Sequence, residues 1–187
     1  MLEKQEEILK AALKLFVEFG FHGTPTSKIA KEAGVANGTL FHYYKTKDDL
    51  ILALYTDIKK RLTEHMYANV NPNDSLELIF RGMFLNTLEW SQDHKEEFYF
   101  VQQFNMSPFS SLISKEEIRR QAKPHLDMIH GGIKNKILKP LPAEFLYSLI
   151  NNHIYGLSQY LTTADLSSQK QKKLINDSFD MIWDMIT

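Results

Sequence analysis

Residues 24–47 read TPTSKIAKEAGVANGTLFHYYKTK, and the fold turns on how this stretch is read. Thr24 stands where a helix N-cap belongs, and Pro25 then takes the first helical position, where a missing N–H costs nothing. Ile29, Ala30 and Ala33 share one face of that short helix. Gly34 follows, and glycine accepts the left-handed conformation that ends a helix sharply. Val35 is an apolar residue for the turn. A second short helix carries Thr39, Leu40, Phe41, His42, Tyr43 and Tyr44. Ala30 offers a small side chain where the second helix must cross. Two helices joined by a three- or four-residue turn containing Gly form a DNA-reading unit.

An ordinary helical hairpin in a core accounts for the apolar inner face but not for the outer one. There Asn37, Thr39, Phe41, His42 and Tyr43 gather hydrogen-bonding and stacking groups, with Lys45 and Lys47 just beyond. Within the stretch Lys28, Lys31, Lys45 and Lys47 stand against Glu32 alone. A local basic patch on a helix-turn-helix is the footprint of DNA binding.

The run IAKEAGVANGTLFHYYKTKDDL, preceded by Gly20 and a Thr, resembles the N-terminal signature of TetR-family transcriptional regulators. The likeness is ungapped from the first helix to Leu50, and the family has no comparable motif beyond about residue 70. Ala36 stands where that signature usually has Ser, so the recognition helix lacks its expected N-cap and Asn37 is the substitute. Tyr44 replaces the usual Phe. The resemblance implies that residues 37–43 enter the major groove, with Thr39 and Tyr43 on phosphates and Phe41 on the backbone or a thymine methyl. Thr26 and Lys47 are expected to clamp flanking phosphates. Ser27 and Asn37 are the foremost candidates for base contacts, followed by His42. Lys28, Ala36 and Gly38 complete the DNA-facing set.

The chain has 187 residues, 43% apolar and 24% charged, which suits a globular protein with one large helical domain or a small one joined to a larger one. It has no cysteine, which excludes disulfides and cysteine-ligated metal centres and fits a reducing cytoplasm. The N-terminus MLEKQEEILK has no apolar signal core, and no apolar run reaches membrane-spanning length, so export and membrane insertion are not expected. The net charge of −1 argues against a general nucleic-acid coat protein and leaves room for a site-specific reader.

Helical periodicity runs throughout and strand signals are nearly absent, so the fold class is all-α, with about nine helices. The first helix, residues 3–19, presents Ile8, Ala11, Ala12, Leu15, Phe16 and Phe19 as the floor of a small domain closed by Ile29, Leu40 and Tyr44. Thr46 is placed to cap a fourth helix running to Ala68, and NVNPND marks a break. A fifth helix from Leu76 to Trp90 and the polar turn SQDHKEE lead to a sixth, FYFVQQFNM. Glu96 and Glu97 read as a solvated face. Ser107-Pro108 opens a loop. A seventh helix, 114–138, is expected to kink or divide at Pro124 and to weaken at Gly131-Gly132. Two amphipathic helices follow, from Pro142 or Ala143 to Leu161 and from Ser167 or Ser168 to Ile186. The expected organisation is a DNA-binding domain over residues 1–47 and a helical ligand-binding and dimerisation domain over 48–187.

Two further expectations lean on the resemblance. The last two helices are expected to pair with a second copy as a four-helix bundle, burying some of Phe145, Leu149, Ile175, Phe179, Ile182 and Trp183. Phe84, Phe98, Phe104, Met128 and His153 are the candidate lining of a pocket for a small apolar effector, although each taken alone reads better as core. No phosphate loop, nucleophile motif or chelating histidine pair is present, so neither cofactor nor metal is expected. The resulting expectation is a repressor, not an enzyme. It binds a palindromic double-stranded operator as a homodimer and is released by the effector. A helical carrier or enzyme with a merely structural N-terminal hairpin, and an architectural DNA-binding protein, remain the alternatives.

Overall fold

Apolar residues recurring every three to four positions along most of this chain specify amphipathic helices. A computed structural model, which describes residues 2–187, contains only helices among those residues. They are α1 (Leu2–Phe19), α2 (Thr26–Glu32), α3 (Asn37–Tyr43), α4 (Lys47–Met66), α5 (Leu76–Asp93), α6 (Lys95–Asn105), a 3-10 turn (Pro108–Leu112), α7 (Lys115–Lys134), α8 (Ala143–Thr163) and α9 (Ser168–Ile186). The chain divides into two compact units. One comprises residues up to Arg61 with His94–Ser114; the other comprises Leu62–Asp93 with Lys115–Thr187.

In the first unit, Ile8, Ala12, Leu15 and Phe16 of α1, Ile29 of α2, Leu40 of α3 and Leu50, Ile51 and Ile58 of α4 are all buried. Three short helices bury little surface by themselves. The aromatics of α6 supply the rest. The Phe100 ring lies 6.2 Å from Phe16 and 5.6 Å from Phe21, and Tyr55 of α4 stacks on Phe104 at 4.0 Å. Arg61 closes the edge by donating to both oxygens of Glu97 at 3.0 and 2.8 Å. Glu97 is therefore an ion-pair partner and not part of a solvated face.

Several local expectations change. Thr24 does not cap α2, whose N-cap is Pro25. The Thr24 side chain is fully buried, and its hydroxyl is shared between the carbonyls of Leu15 at 3.0 Å and Gly20 at 2.8 Å. Phe19 is 43% exposed and lies outside the core, with the Lys28 ammonium 3.2 Å above its ring centroid. The polar turn before α6 shrinks to His94, because Ser91, Gln92 and Asp93 continue α5. Ser91 is buried, donating to the Leu88 carbonyl and accepting from Ser158. Pro124 does not divide α7, which runs through it. Its position is exposed, so water can satisfy the helix carbonyl it leaves unpaired. The expected cap at Thr46 is present as a reciprocal pair: Asp49 N–H donates to Thr46 Oγ1 at 3.0 Å, and Thr46 N–H donates to Asp49 Oδ2 at 2.9 Å.

The second unit centres on Phe84, Leu88, Ile129, Leu138, Leu146, Ile154, Phe179, Ile182 and Ile186. Its helix ends are tied by side chains. Asn86 donates to the carbonyls of Met66 and Ala68 beyond α4, and Lys139 Nζ donates to those of Asp184 and Met185 at the end of α9. A cation on terminal carbonyls also complements the helix dipole. The two glycines of α7 differ in role. A Cβ at Gly132 would lie 2.7 Å from Leu76 and Leu138, whereas one at Gly131 would meet nothing within 4 Å.

That contrast sets a test of the fold. Gly132→Ala is expected to cost about 1–3 kcal/mol through overpacking. Gly131→Ala is expected to be neutral or to stabilise by up to ~1 kcal/mol through helix propensity. Denaturant melts of the two variants measured side by side check the difference.

Candidate nucleic-acid interface

The reading helix is held from behind. Leu40 is fully buried and Tyr44, which follows the last residue of α3, is 5% exposed, so one side of α3 is pinned to the first unit's core. Burial pushes the Tyr44 phenol up in pKa, while nearby Gln5 pulls it down. The hydroxyl itself has no partner in hydrogen-bond geometry, so the aromatic ring and not the hydroxyl holds this position. Gly34 sits at φ +65°, the left-handed conformation that ends α2, and the Val35 N–H closes the turn onto the Ala30 carbonyl at 2.9 Å.

The opposite side of α3 faces water. Asn37, Gly38, Phe41 and His42 are exposed, and Thr39 and Tyr43 are half-buried at its edges. The N-cap Ala36, also exposed, has no side chain capable of capping. Asn37 is the first residue of α3, and no side-chain cap bond is made at this end, so its amide is not consumed by capping. A Cβ at Gly38 would meet nothing within 4 Å, so the chain's own packing does not require glycine there. His42 and Tyr43 meet edge to face at 5.6 Å.

The flanking candidates fall around this face. Thr26 opens α2 and is half-buried, and Ser27 beside it is exposed. Lys28 is exposed, with its ammonium on the Phe19 ring. Such a contact is worth about 0.5–1 kcal/mol at an exposed site, little enough to exchange for a phosphate. Lys47 is the first residue of α4 and is half-buried. Burial lowers its pKa and the neighbouring Asp48 opposes that shift. Glu32, the single acid of the stretch, accepts a bond from Lys14 Nζ of α1 at 2.6 Å. That hydrogen bond holds the carboxyl below its usual range, so the one negative group of the motif is ion-paired with a cation from outside it.

One residue was missed by sequence reasoning. Lys4, in the first turns of α1, borders an open cleft of about 450 Å³ together with Gly38, Thr39, His42 and Tyr43. No spacing rule links position 4 to positions 38–43; only the packing of the first unit brings them together. The candidate effector residues, in contrast, fall in both units. Phe84 and His153 stack at 6.1 Å in the second, where His153 Nε2 lies 2.8 Å from Ser178 Oγ and 2.9 Å from its carbonyl. Met128 is half-buried in the same unit. Phe98 and Phe104 belong to the first unit, 8% and 0% exposed. No cluster of three or more His, Cys, Asp or Glu suited to a metal ion occurs among the described residues.

The family of bacterial regulatory proteins of the tetR type matches residues 8–54, and a tetracyclin repressor-like C-terminal domain matches residues 55–187. The chain belongs to the TetR family. It is a DNA-binding transcriptional regulator, and its helix-turn-helix is the reader expected from the sequence. A fatty acid metabolism regulator protein of Bacillus subtilis is 28% identical over 173 residues, covering 89% of this chain and 86% of its own. The crystal structure of a putative tetR family transcription regulator from Shewanella sp. PV-4 superposes with a TM-score of 0.89 at 27% identity, covering 98% and 97% of the two chains. The regulator FadR from Bacillus subtilis, solved with stearoyl-CoA, gives a TM-score of 0.76 at 21% identity over 97% and 99%. These relatives are regulators and not enzymes. Among the described residues, no helix of this TetR-family chain is long and apolar enough to cross a membrane.

Two substitutions separate the roles on this face. Lys47→Ala is expected to weaken binding to all duplexes alike and to lower the salt slope by about one unit per engaged reader. Asn37→Ala is expected to leave the slope unchanged and to relax preference at one base pair by about 1–3 kcal/mol. Anisotropy titrations over a salt series and a set of duplex variants distinguish them.

Proposed function

We propose that this regulator is a repressor that binds a palindromic operator as a homodimer and is released by an apolar, acyl-bearing effector. The outward side of α3 carries the DNA part of the reading: Asn37, Gly38, Phe41 and His42 contribute nothing to the core, yet they are displayed together on a helix pinned from behind. In the proposed complex Thr39, Tyr43, Thr26 and Lys47 hold phosphates. Asn37, Ser27 and His42 meet base edges, and Phe41 covers sugar or a thymine methyl. Lys28, Ala36 and Gly38 lie against the backbone.

The dimer reading rests on apolar surface left uncovered on α8 and α9. Phe145 and Tyr160 are 53% and 54% exposed, and Met181 and Met185 are 63% and 50% exposed. Phe145, Leu149, Gly156 and Tyr160 recur at helical spacing on α8, so they form one stripe. Phe179 and Ile182 are only 2% and 3% exposed within their own core. The proposed interface therefore uses Phe145, Leu149, Tyr160, Met181 and Met185 in their place. An obligate apolar interface of this kind buries more than about 2,000 Å². Two readers related by a two-fold axis then meet half-sites about 34–36 Å apart or somewhat further.

For the effector, the likeness to a fatty acid metabolism regulator and to a fold relative solved with stearoyl-CoA supports an acyl thioester. Phe84, Met128 and His153 are the proposed lining, all in the second unit. Phe98 and Phe104 fill the first unit's interior and are not retained. The effector releases DNA only through its differential affinity for the two states, and a 100-fold effect corresponds to about 2.7 kcal/mol of coupling.

Sedimentation at micromolar concentration is expected to give a species of twice the 21.8 kDa chain, and Tyr160→Lys with Met181→Lys to give monomer. Stearoyl-CoA is expected to weaken operator binding by the same factor by which operator weakens stearoyl-CoA binding. A thioester that binds and leaves operator affinity unchanged would favour the carrier alternative.

A further inference from the structure

The cleft bordered by Lys4 has an occupant that the helix-turn-helix alone does not specify. Its rim combines a cation from α1 with the hydroxyls of Thr39 and Tyr43 and the ring of His42 from α3, and no carboxylate is among its lining residues. Four donors and no acid select an anion. Among the described residues no carboxylate forms an ion pair with the Lys4 ammonium, and Lys4 is exposed. Gly38 supplies a second observation. It lies in the first turn of α3, and the space above it is empty. A glycine that the fold does not need, at the floor of a cleft lined by donors, leaves room for close approach by a backbone from outside the chain. The cleft is also open, which suits a polyanion lying across it better than a small molecule enclosed within it.

We propose that this cleft seats a backbone phosphate of duplex DNA, with Lys4 of α1 as its cationic ligand and Thr39 and Tyr43 as its neutral donors. The inference rests on the DNA-binding reading and extends it to a residue outside the motif. Lys4 ties the first helix to the same strand that α3 reads, so α1 acts as part of the interface as well as its support. The contact is to a phosphate, so it sets register and affinity and carries no base preference. A free inorganic phosphate would find the same donors but only one point of attachment, so the duplex is the committed ligand.

The test uses the full-length protein and a duplex selected by the wild type from a random pool. Kd is measured across a salt series for wild type, Lys4→Gln and Lys4→Arg. Each lost phosphate contact lowers the slope of log K against log salt by about 0.9, so a dimer of Lys4→Gln is expected to lose about two units and Lys4→Arg almost none. The ranking of duplex variants is expected to stay the same. Single methylphosphonates, each removing one phosphate charge, are then placed along the duplex. One symmetric pair of positions is expected to weaken the wild type clearly more than it weakens Lys4→Gln, in which only the neutral donors Thr39 and Tyr43 remain on that phosphate. An unchanged slope in Lys4→Gln, or identical methylphosphonate profiles for both proteins, overturns the proposal and leaves the α3 reading standing. Failure of the wild type to select any duplex overturns both. Thermal melting checks that Lys4→Gln is folded; should it not be, Lys4→Met, which also removes the charge, is put through the same salt series and methylphosphonate profile with the same two outcomes.

Discussion

The buried hydroxyl of Thr24 is the constraint on which the first unit depends. α1 ends before Gly20, where the chain reverses direction, and the Thr24 hydroxyl turns inward at this bend. Thr24 donates to the carbonyls of Leu15 and Gly20 from a position with no solvent exposure. A buried carbonyl left without a donor costs about 1–3 kcal/mol, so an apolar residue at this point would pull the chain out toward solvent. Gly20 at φ +71° makes the reversal sterically possible, and Gly23 admits the Phe19 carbonyl where a Cβ would come within 2.4 Å. The start of α2, and through it the placement of α3, is set by this knot.

Placement of the reader then follows from a chain of buried contacts. Ile29 and Ala30 seat α2, Leu40 and Tyr44 seat α3, and the reciprocal bonds of Thr46 and Asp49 fix the first turn of α4. The aromatics of α6 thicken a core that three short helices cannot make by themselves. The charge pattern of the face owes something to folding as well as to composition: Lys14 of α1 pairs at the surface with Glu32, the one acid of the motif.

Most of this was legible in the sequence because it rests on local rules. Helical period, the Gly34 turn, the Thr46 cap and the reading face are all written at separations of four residues or fewer. What was misread depends on tertiary partners. Thr24 has the residue type of a helix cap, and its use was decided by carbonyls four and nine positions earlier. Phe19 matches the apolar period of α1 but falls off its buried arc, where Lys28 covers the ring. Ser91 and Asp93 read as a turn because they are polar, yet Ser91 is polar toward Ser158 in the interior and α5 continues through it. Glu97 read as solvated until Arg61, 36 positions earlier, proved to be its partner. The assignment of Phe98 and Phe104 to the first unit and of Phe84, Met128 and His153 to the second is likewise a matter of tertiary contact that composition cannot express.

The exposed side of α3 has a consequence for how such a protein can change. Leu40 and Tyr44 carry the attachment of the helix, while Asn37, Gly38, Phe41 and His42 bear on nothing inside it. Attachment and outward display are therefore carried by different side chains of α3 and its C-cap Tyr44. Exchanging the displayed set does not loosen what holds the helix, because surface substitutions away from buried contacts usually stay within about 0.5 kcal/mol. A duplicated gene could drift at these positions and remain folded at every step. A laboratory library randomised there would contain mostly intact proteins differing in the sequences they prefer. Under the proposed reading, retargeting this scaffold is a problem of selection on surface positions, with the interior left as it stands.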